Sequence, residues 1–310
     1  SFAAIDKFSG AKEIAFDGSG VLTDKSLTIN SVDSTNDGNT LSVLYSLEND
    51  IDEYIKSAIS VYAKNNGITL NSILFENVKH FETLGVTADF NGKRYAAGNK
   101  TLLKKVFGVS VEDDSDESVI FVAEEGAVIG KVNYTRIDKI NARGEIKELT
   151  DDAGMVASLL SSDKVSVVNA MKDKLGLDNA VAGASPKYKA EYVKNSGAVY
   201  VGDSEYDANT NRLLDGECVS VGGEKVYKNG LTVSGRDVRQ IPVAVKIAKR
   251  TTKKKKFITL FTSIVKAAAI VTGVVLFAVK GNYMSIPILG CLATDVISFF
   301  IAAMNLTDPA

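Results

Sequence analysis

The chain has 310 residues, enough for two soluble domains and a membrane-embedded part, with a globular composition and a formal net charge of −2. So small a negative charge predicts no nucleic-acid partner. The two cysteines, Cys218 and Cys291, lie far apart, which excludes a disulfide framework and a zinc spacing.

The sequence opens Ser1-Phe2, with no initiator methionine, signal peptide or cleavage site, and reads as the C-terminal portion of something longer. Glu13-Ile14-Ala15-Phe16 is a short β-rich run ending at Asp17. Glycines and the hydroxyl of Ser19 follow in Phe16-Asp17-Gly18-Ser19-Gly20-Val21-Leu22-Thr23, a pattern built for close approach of a phosphate. Backbone N–H groups in a glycine turn form an anion-binding nest, and a free carboxylate can attack phosphorus.

Between about residues 28 and 134 the texture changes. A polar loop from Asp33 to Asn39 leads into a helix around Leu47 to Asn66, and strand-like runs follow at Val86 to Phe90, Val119 to Ala123 and Val128 to Val132. Glu124-Glu125-Gly126 reads as a hairpin turn, and the acidic run from Glu112 to Glu117 as a solvated loop. His80, the only histidine, reads as an ordinary surface or half-buried residue. This stretch is expected to be an α+β domain inserted after the first strand of an α/β domain.

The α/β pattern then resumes. Met155 to Leu160 is a strand ending at Ser161-Ser162-Asp163, and Ala198 to Val201 is another ending at Gly202-Asp203. Ligands of open parallel sheets bind beyond the carboxyl ends of the strands, so Asp17, Asp163 and Asp203 are expected to share one crevice. Asp203 and Asp207, with Asp17, are the candidates to hold Mg²⁺, and Lys189 in Pro186-Lys187-Tyr188-Lys189 is the candidate cation for phosphoryl oxygens. No Walker-type glycine-lysine-serine loop occurs, so the expected phosphate chemistry is aspartyl.

Two apolar segments close the chain, Phe257 to Val279 and Met284 to Met304, each long enough to span a bilayer as a helix and joined by Lys280-Gly281-Asn282-Tyr283. Lys266 in the first and Asp295 in the second would share one depth in such a hairpin, roughly 13 Å in at the helical rise. Ionisable groups at that depth pair with each other and mark ion or substrate paths. Cys291, one turn before Asp295, is either a soft ligand for a thiophilic metal or a small apolar helix residue. Pro287 fits an early-turn position. The basic run of Lys249, Arg250, Lys253, Lys254, Lys255 and Lys256 places residues 1–256 and the C-terminus in the cytoplasm, and suits contact with anionic membrane lipid.

In these motifs the chain resembles the C-terminal half of a heavy-metal-transporting P-type ATPase, with Lys266, Asp295 and Asn305 most like the zinc/cadmium/lead exporters. Asp17 in DGSGVLT stands at the phosphorylated aspartate of the DKTGTLT signature, Ser161-Ser162-Asp163 at TGD, Pro186 and Lys189 at the proline-x-x-lysine, and Gly202 to Asp207 at GDGxND. Gly92-Lys93-Arg94-Tyr95, Gly98-Asn99 and the hairpin before Ile137-Asp138 resemble that family's nucleotide-binding domain. The resemblance implies a haloacid-dehalogenase-like Rossmannoid phosphorylation domain in residues 1–28 and 134–250. It further implies an inserted α+β nucleotide-binding domain in 29–133, then a basic juxtamembrane segment and a transmembrane helical hairpin in 251–310.

Its functional implication is ATP-driven export of a Zn²⁺-like divalent metal through an aspartyl phosphate, in the cell membrane and with Mg²⁺. Asp17, Ser19, Asp163 and Lys189 would be catalytic, Gly85, Gly98 and Asn99 would bind nucleotide, and Asp295, Lys266 and Cys291 would meet the transported metal. The partners implied are the earlier membrane helices and an actuator domain. The chain departs from the pattern at Gly18, where the family has lysine, at Ser19 and Val21 for threonines, and at Ser204 and Tyr206 in the metal loop. Glu53-Tyr54 replaces a His-Pro pair, and Thr83-Leu84-Gly85 a glycine-x-glycine loop. These departures carry two further expectations: a catalytically impaired pseudo-ATPase with a sensing or interaction role, or a membrane-tethered aspartyl phosphatase.

Overall fold

The computed structural model describes residues 2–48, 52–81, 83–113, 115–222, 229–233, 235, 237–280, 290–291 and 293–299. In chain order the elements are α1 (Phe2–Gly10), β1 (Glu13–Phe16), β2 (Thr23–Ser34), α2 (Asp37–Leu47), α3 (Glu53–Asn65), β3 (Glu76–Phe81), β4 (Gly85–Phe90), β5 (Lys93–Gly98), α4 (Lys100–Phe107), β6 (Ser118–Glu124) and β7 (Ala127–Asp138). There follow α5 (Ala142–Lys147), β8 (Val156–Leu160), α6 (Val165–Leu175), β9 (Asn179–Val181), α7 (Pro186–Ser196), β10 (Val199–Asp203), α8 (Ala208–Leu213), β11 (Val219–Val221), β12 (Leu231–Val233) and α9 (Gln240–Lys280).

Short apolar runs with no alternation suit strands covered on both faces, and those of β1, β8 and β10 form the centre of an all-parallel sheet of order β12-β11-β10-β1-β8-β9. The order reverses at β1, with Phe16 paired to Val201 on one side and Leu159 on the other. The loops after these three strands therefore open into one crevice. Helix α7 is set by the Ser185 cap, whose side chain accepts from Tyr188 N, by Pro186 in its first turn and by Gly197 in the left-handed region at its end.

The second sheet is antiparallel, of order β2-β7-β6-β5-β4-β3. On one face α2 and α3 bury Leu41, Leu44, Leu47 and Ile59 against Val86, Val122 and Val132; α4 buries Leu102 and Leu103 with Phe121 in a second cluster. The β6–β7 hairpin turns at Glu125 and Gly126, both at positive φ, the conformation a two-residue turn needs to match strand twist. Strands β2 and β7 run as a long pair across positions 28/29 and 133/134.

Three local expectations change. The helix expected around 47–66 is α3, which starts only at Glu53, where the Asp52 carboxylate caps Tyr54 N and Ile55 N, and a further helix, α2, capped by Asn36, precedes it and ends at Leu47. The polar run from Asp33 to Asn39 is accordingly the end of β2 and the start of α2. Within the acidic run, Asp113 is taken up by Lys164 at 3.0 Å and is largely buried, so that part is anchored.

Residues 2–10 and 244–310 form a second unit. Within it Asp6 accepts from Lys255 Nζ at 2.6 Å and Thr252 Oγ1 at 3.1 Å. Helix α9, 41 residues long, holds the apolar segment that starts at Phe257, and among the described residues it is the one helix long and apolar enough to cross a membrane. Of the segment from Met284 to Met304, residues 290–291 and 293–299 are helical, while Pro287, Asn305 and the connector from Gly281 lie outside the described residues.

Candidate functional site

Asp17 leaves β1 while its N–H still bonds Val201 O at 2.9 Å, so the ladder with β10 orients its side chain. Its Oδ1 accepts from Gly18 N at 2.9 Å and from Lys189 Nζ at 2.8 Å. The turn Gly18–Leu22 is closed by Thr23 Oγ1 donating to Gly18 O at 3.2 Å and by Lys139 Nζ donating to Gly20 O at 2.8 Å. Gly20 sits at φ +76°, and a methyl group there would lie 2.9 Å from Asp203 Oδ2, so glycine lets the turn pass against that carboxylate.

Lys189 reaches the crevice from the first turn of α7 and also lies 3.5 Å from Asp207 Oδ1. Asp207 is held further by Thr210 Oγ1 at 2.7 Å and by the hydroxyl of Tyr200, which donates to Oδ2. Asp203 is fully buried, and its Oδ1 accepts from Glu205 N at 2.8 Å and Tyr206 N at 3.1 Å. Asp163 is half-buried and bonds Ser161 Oγ at 2.9 Å; Ser19 is half-buried within the turn.

Burial sets the electrostatics. It pushes the Asp17 carboxyl well above the usual carboxylate range, opposed by Lys189 and reinforced by Asp207. It pushes Asp207 up as well, against Lys189, Tyr200 and Thr210. Burial works against the Lys189 ammonium, but Asp17 and Asp207 outweigh it and raise its pKa above the ordinary lysine value. Lys189 therefore stays charged between two carboxylates that resist sharing the cleft.

The expected Mg²⁺ set is not gathered as one. Among the described residues no three carboxylate, cysteine or histidine groups are arranged to hold a metal. Both oxygens of Asp207 are occupied by Lys189, Thr210 and Tyr200. Asp17 and Asp203, from adjacent parallel strands, remain as hard oxygen donors, and Mg²⁺ commonly takes one or two carboxylates with phosphate and water completing its shell. That smaller donor set fits the ion.

The expected nucleotide residues are placed elsewhere in the molecule. Gly85 and Gly98 face each other across β4 and β5, where a methyl group on either would lie 2.1 Å from a backbone carbonyl oxygen. Asn99 caps α4, accepting from Leu102 N at 3.1 Å, and donates to Thr83 O at 3.0 Å. A separate cavity of about 200 Å³ lies between β2 and α3, lined among others by Leu27, Ile29, Tyr54, Ala58 and Tyr62. In the second unit Lys266 Nζ pairs with Asp295 Oδ1 at 2.6 Å, and Cys291 is a free, half-buried thiol.

Several residues of the site escaped sequence reasoning: Tyr200, Thr210, Lys25 and Asp52, whose Oδ2 accepts from the Tyr206 phenol at 3.2 Å. Lys25 carried a usable signal, since Thr23, Lys25, Leu27 and Ile29 alternate inward along β2.

No protein-family model matches the chain. A copper-exporting P-type ATPase of Staphylococcus epidermidis is 24% identical over 257 residues, covering 77% of this chain and 32% of that protein. The chain thus spans about a third of the length of the first curated relatives it matches. Among solved structures, the catalytic CPx-ATPase domain CopB-B superposes with a TM-score of 0.54 at 21% identity, over 79% of this chain and 91% of that one. A zinc-transporting PIB-type ATPase in the E2.Pi state superposes with a TM-score of 0.56 at 16% identity, over 97% of this chain and 50% of that one. The fold is that of P-type ATPase phosphorylation and nucleotide-binding domains, and the homologues of this sequence, over much of its length, are heavy-metal P-type ATPases of the copper and cadmium/zinc kinds.

Proposed function

We propose that the chain is the phosphoryl-accepting part of an ATP-driven heavy-metal transporter, exporting a Zn²⁺-like divalent cation through an aspartyl phosphate at Asp17. The observation that carries this is the buried Lys189 ammonium bridging Asp17 and Asp207 in the crevice beyond β1 and β10. Residues 1–28 and 134–250 form the phosphorylation domain in this reading, 29–133 the nucleotide-binding-like domain, and 251–310 the basic juxtamembrane segment and two membrane helices.

Among the described residues, the donors to Asp17, Gly18 N and Lys189 Nζ, both sit on Oδ1, which leaves Oδ2 to attack the γ-phosphorus. As that oxygen–phosphorus bond forms, the bond from phosphorus to the bridging oxygen breaks and ADP leaves with the electron pair. Lys189 offsets charge on the phosphoryl oxygens, the Gly18–Leu22 turn and Ser19 present donors, and Asp163 shapes the far wall. A magnesium ion, held by Asp17 and Asp203, would supply neutralisation of phosphate charge. Splitting hydrolysis into two steps lets each be tied to one conformation of the membrane part. There Asp295 and Cys291 would meet the cargo, and Lys266 would replace it once it leaves. The basic run holds residues 1–256 and the C-terminus in the cytoplasm.

The test is label retained from γ-labelled ATP by the full chain in the presence of divalent metals. Acid-stable, hydroxylamine-labile label that disappears in Asp17→Asn is expected. Absence of label with every metal tried rejects the reading.

A second reading, a pseudo-ATPase with a sensing or interaction role, is favoured by one observation: Gly85, Gly98 and Asn99 are committed to strand packing and a helix cap. It requires that the full chain show no saturable ATP binding in equilibrium dialysis with Mg²⁺.

A further inference from the structure

The residue after Asp17 is uncharged, and the turn Gly18–Leu22 contributes no cation to the cleft. Lys189 stands there against the buried carboxylates of Asp17, Asp203 and Asp207. A phosphate group brings further negative charge, and one ammonium shared between two carboxylates is a poor match for it.

A second buried ammonium is present. Lys25, on the inward face of β2, is 6% exposed; its Nζ lies 3.9 Å from Asp203 Oδ1 and 4.4 Å from the centre of the Tyr206 ring, and it is ion-paired with Glu205. The Tyr206 hydroxyl is itself fixed on Asp52, so the ring forms a rigid roof over the ammonium. Glu205 differs from the other partners, because its side chain is 64% exposed. A pair with one partner in water contributes little, whereas a buried ammonium on phosphate oxygens makes short, charge-assisted bonds. On the neighbouring strand, Arg136 buries an Nη1 group with no hydrogen-bond partner among the described residues; its guanidinium lies 5.8 Å from the centre of the Tyr134 ring, and its charge is stabilised first by Tyr134, then by Asp163, Tyr206 and Asp52. A phosphate oxygen would satisfy that donor, and a buried donor left unmade is costly.

We propose that Lys25 is the cation that takes the non-bridging phosphate oxygens at Asp17, exchanging its exposed partner Glu205 for them, with Arg136 as a second donor from β7. The inference rests on the aspartyl-phosphate reading above. It makes Lys25 a phosphate-binding residue supplied by β2, a strand of the second sheet, so that phosphate binding ties the two sheets together at this point.

Beryllium fluoride, which mimics a phosphoryl group on a carboxylate, is the probe. Its binding to the full chain in detergent micelles with Mg²⁺ is measured by fluorine NMR for the wild type, Asp17→Asn, Lys25→Met, Lys25→Arg and Glu205→Gln. The wild type is expected to bind, Asp17→Asn to lose binding, and Lys25→Met to weaken it by about tenfold or more. Lys25→Arg keeps most of it, and Glu205→Gln tightens it severalfold. Equal binding by Lys25→Met and wild type overturns the role of Lys25 and leaves Asp17 as the acceptor. No binding by the wild type, or undiminished binding by Asp17→Asn, overturns both. Where Lys25→Met does not fold, Glu205→Gln decides: unchanged or weaker binding overturns the exchange.

Discussion

Tyr200 donates its hydroxyl to Asp207 from inside the core of the parallel sheet, and both residues are buried. The phenol turns a core strand residue into a support for the acid that Lys189 bridges to Asp17. Tyr200→Phe keeps the ring volume and removes the donor, leaving a buried carboxylate oxygen unsatisfied. The expected cost is about 1–3 kcal/mol, read as a lower urea midpoint of the full chain in micelles at pH 7. Tyr200→Phe with an unchanged midpoint counts against this support.

Glu48, at the end of α2, is 6% exposed, and its carboxyl is pushed up to about 7, first by burial and then by the charge of Asp52. An unfolded glutamate titrates near the ordinary value of 4.5, so between that pH and about 7 the folded chain binds the extra proton. Stability from this group therefore falls as pH rises through that window, and the full penalty is present above it. Asp17 and Asp207, also raised, tilt the curve the same way at its acidic end. Glu48→Gln is expected to stabilise the chain at pH 8 by about 2–3 kcal/mol and to leave it unchanged or weaker at pH 4.5, measured as paired urea midpoints. Parallel pH curves for the two chains contradict the assignment.

Gly98 packs against the backbone of β4 with no room for a side chain: an added methyl meets Leu84 O at 2.1 Å and Gly85 Cα at 2.9 Å. Backbone atoms in a ladder cannot retreat as a flexible side chain would. Gly98→Ala is expected to destabilise by about 3 kcal/mol or more, visible as loss of folded yield or a large midpoint shift. A variant as stable as the wild type shows that β4 and β5 are not so close.

Lys266 and Asp295 form an ion pair between two apolar segments. Lys266→Met alone leaves a carboxylate by itself in such a segment, at a cost of about 3 kcal/mol for membrane integration. Adding Asp295→Asn removes that cost. The check is the carbonate-resistant fraction in membranes: reduced in Lys266→Met, restored in the double variant. Equal integration of single and double variants argues against a shared depth.

Much of the fold is legible along the chain, because it is written in short windows. The apolar runs ending at Asp17, Asp163 and Asp203 announce a parallel sheet with its acids at one edge, and the Glu125-Gly126 turn announces its hairpin. The start of α3 at Glu53 and the whole of α2 are not legible in the same way, because each boundary is signalled by a single cap residue, Asp52 and Asn36, in a polar stretch. The structural duties of Gly85, Gly98 and Asn99 were equally invisible, since a glycine needed for close packing and one needed for a ligand are the same letter.

The sequence by itself determined the kinds of groups present, the periodicities that make strands and helices, and the apolar length of the closing segments. Only the tertiary structure decided which groups meet. Lys189 and Asp17 are separated by 172 positions, Lys25 and Glu205 by 180, and Tyr200 serves Asp207 through the bend after β10. Such meetings depend on strand order, register and the direction in which each side chain leaves its strand. Local periodicity carries none of the three, because a shift of one residue reverses every side chain while leaving the pattern of residue types intact.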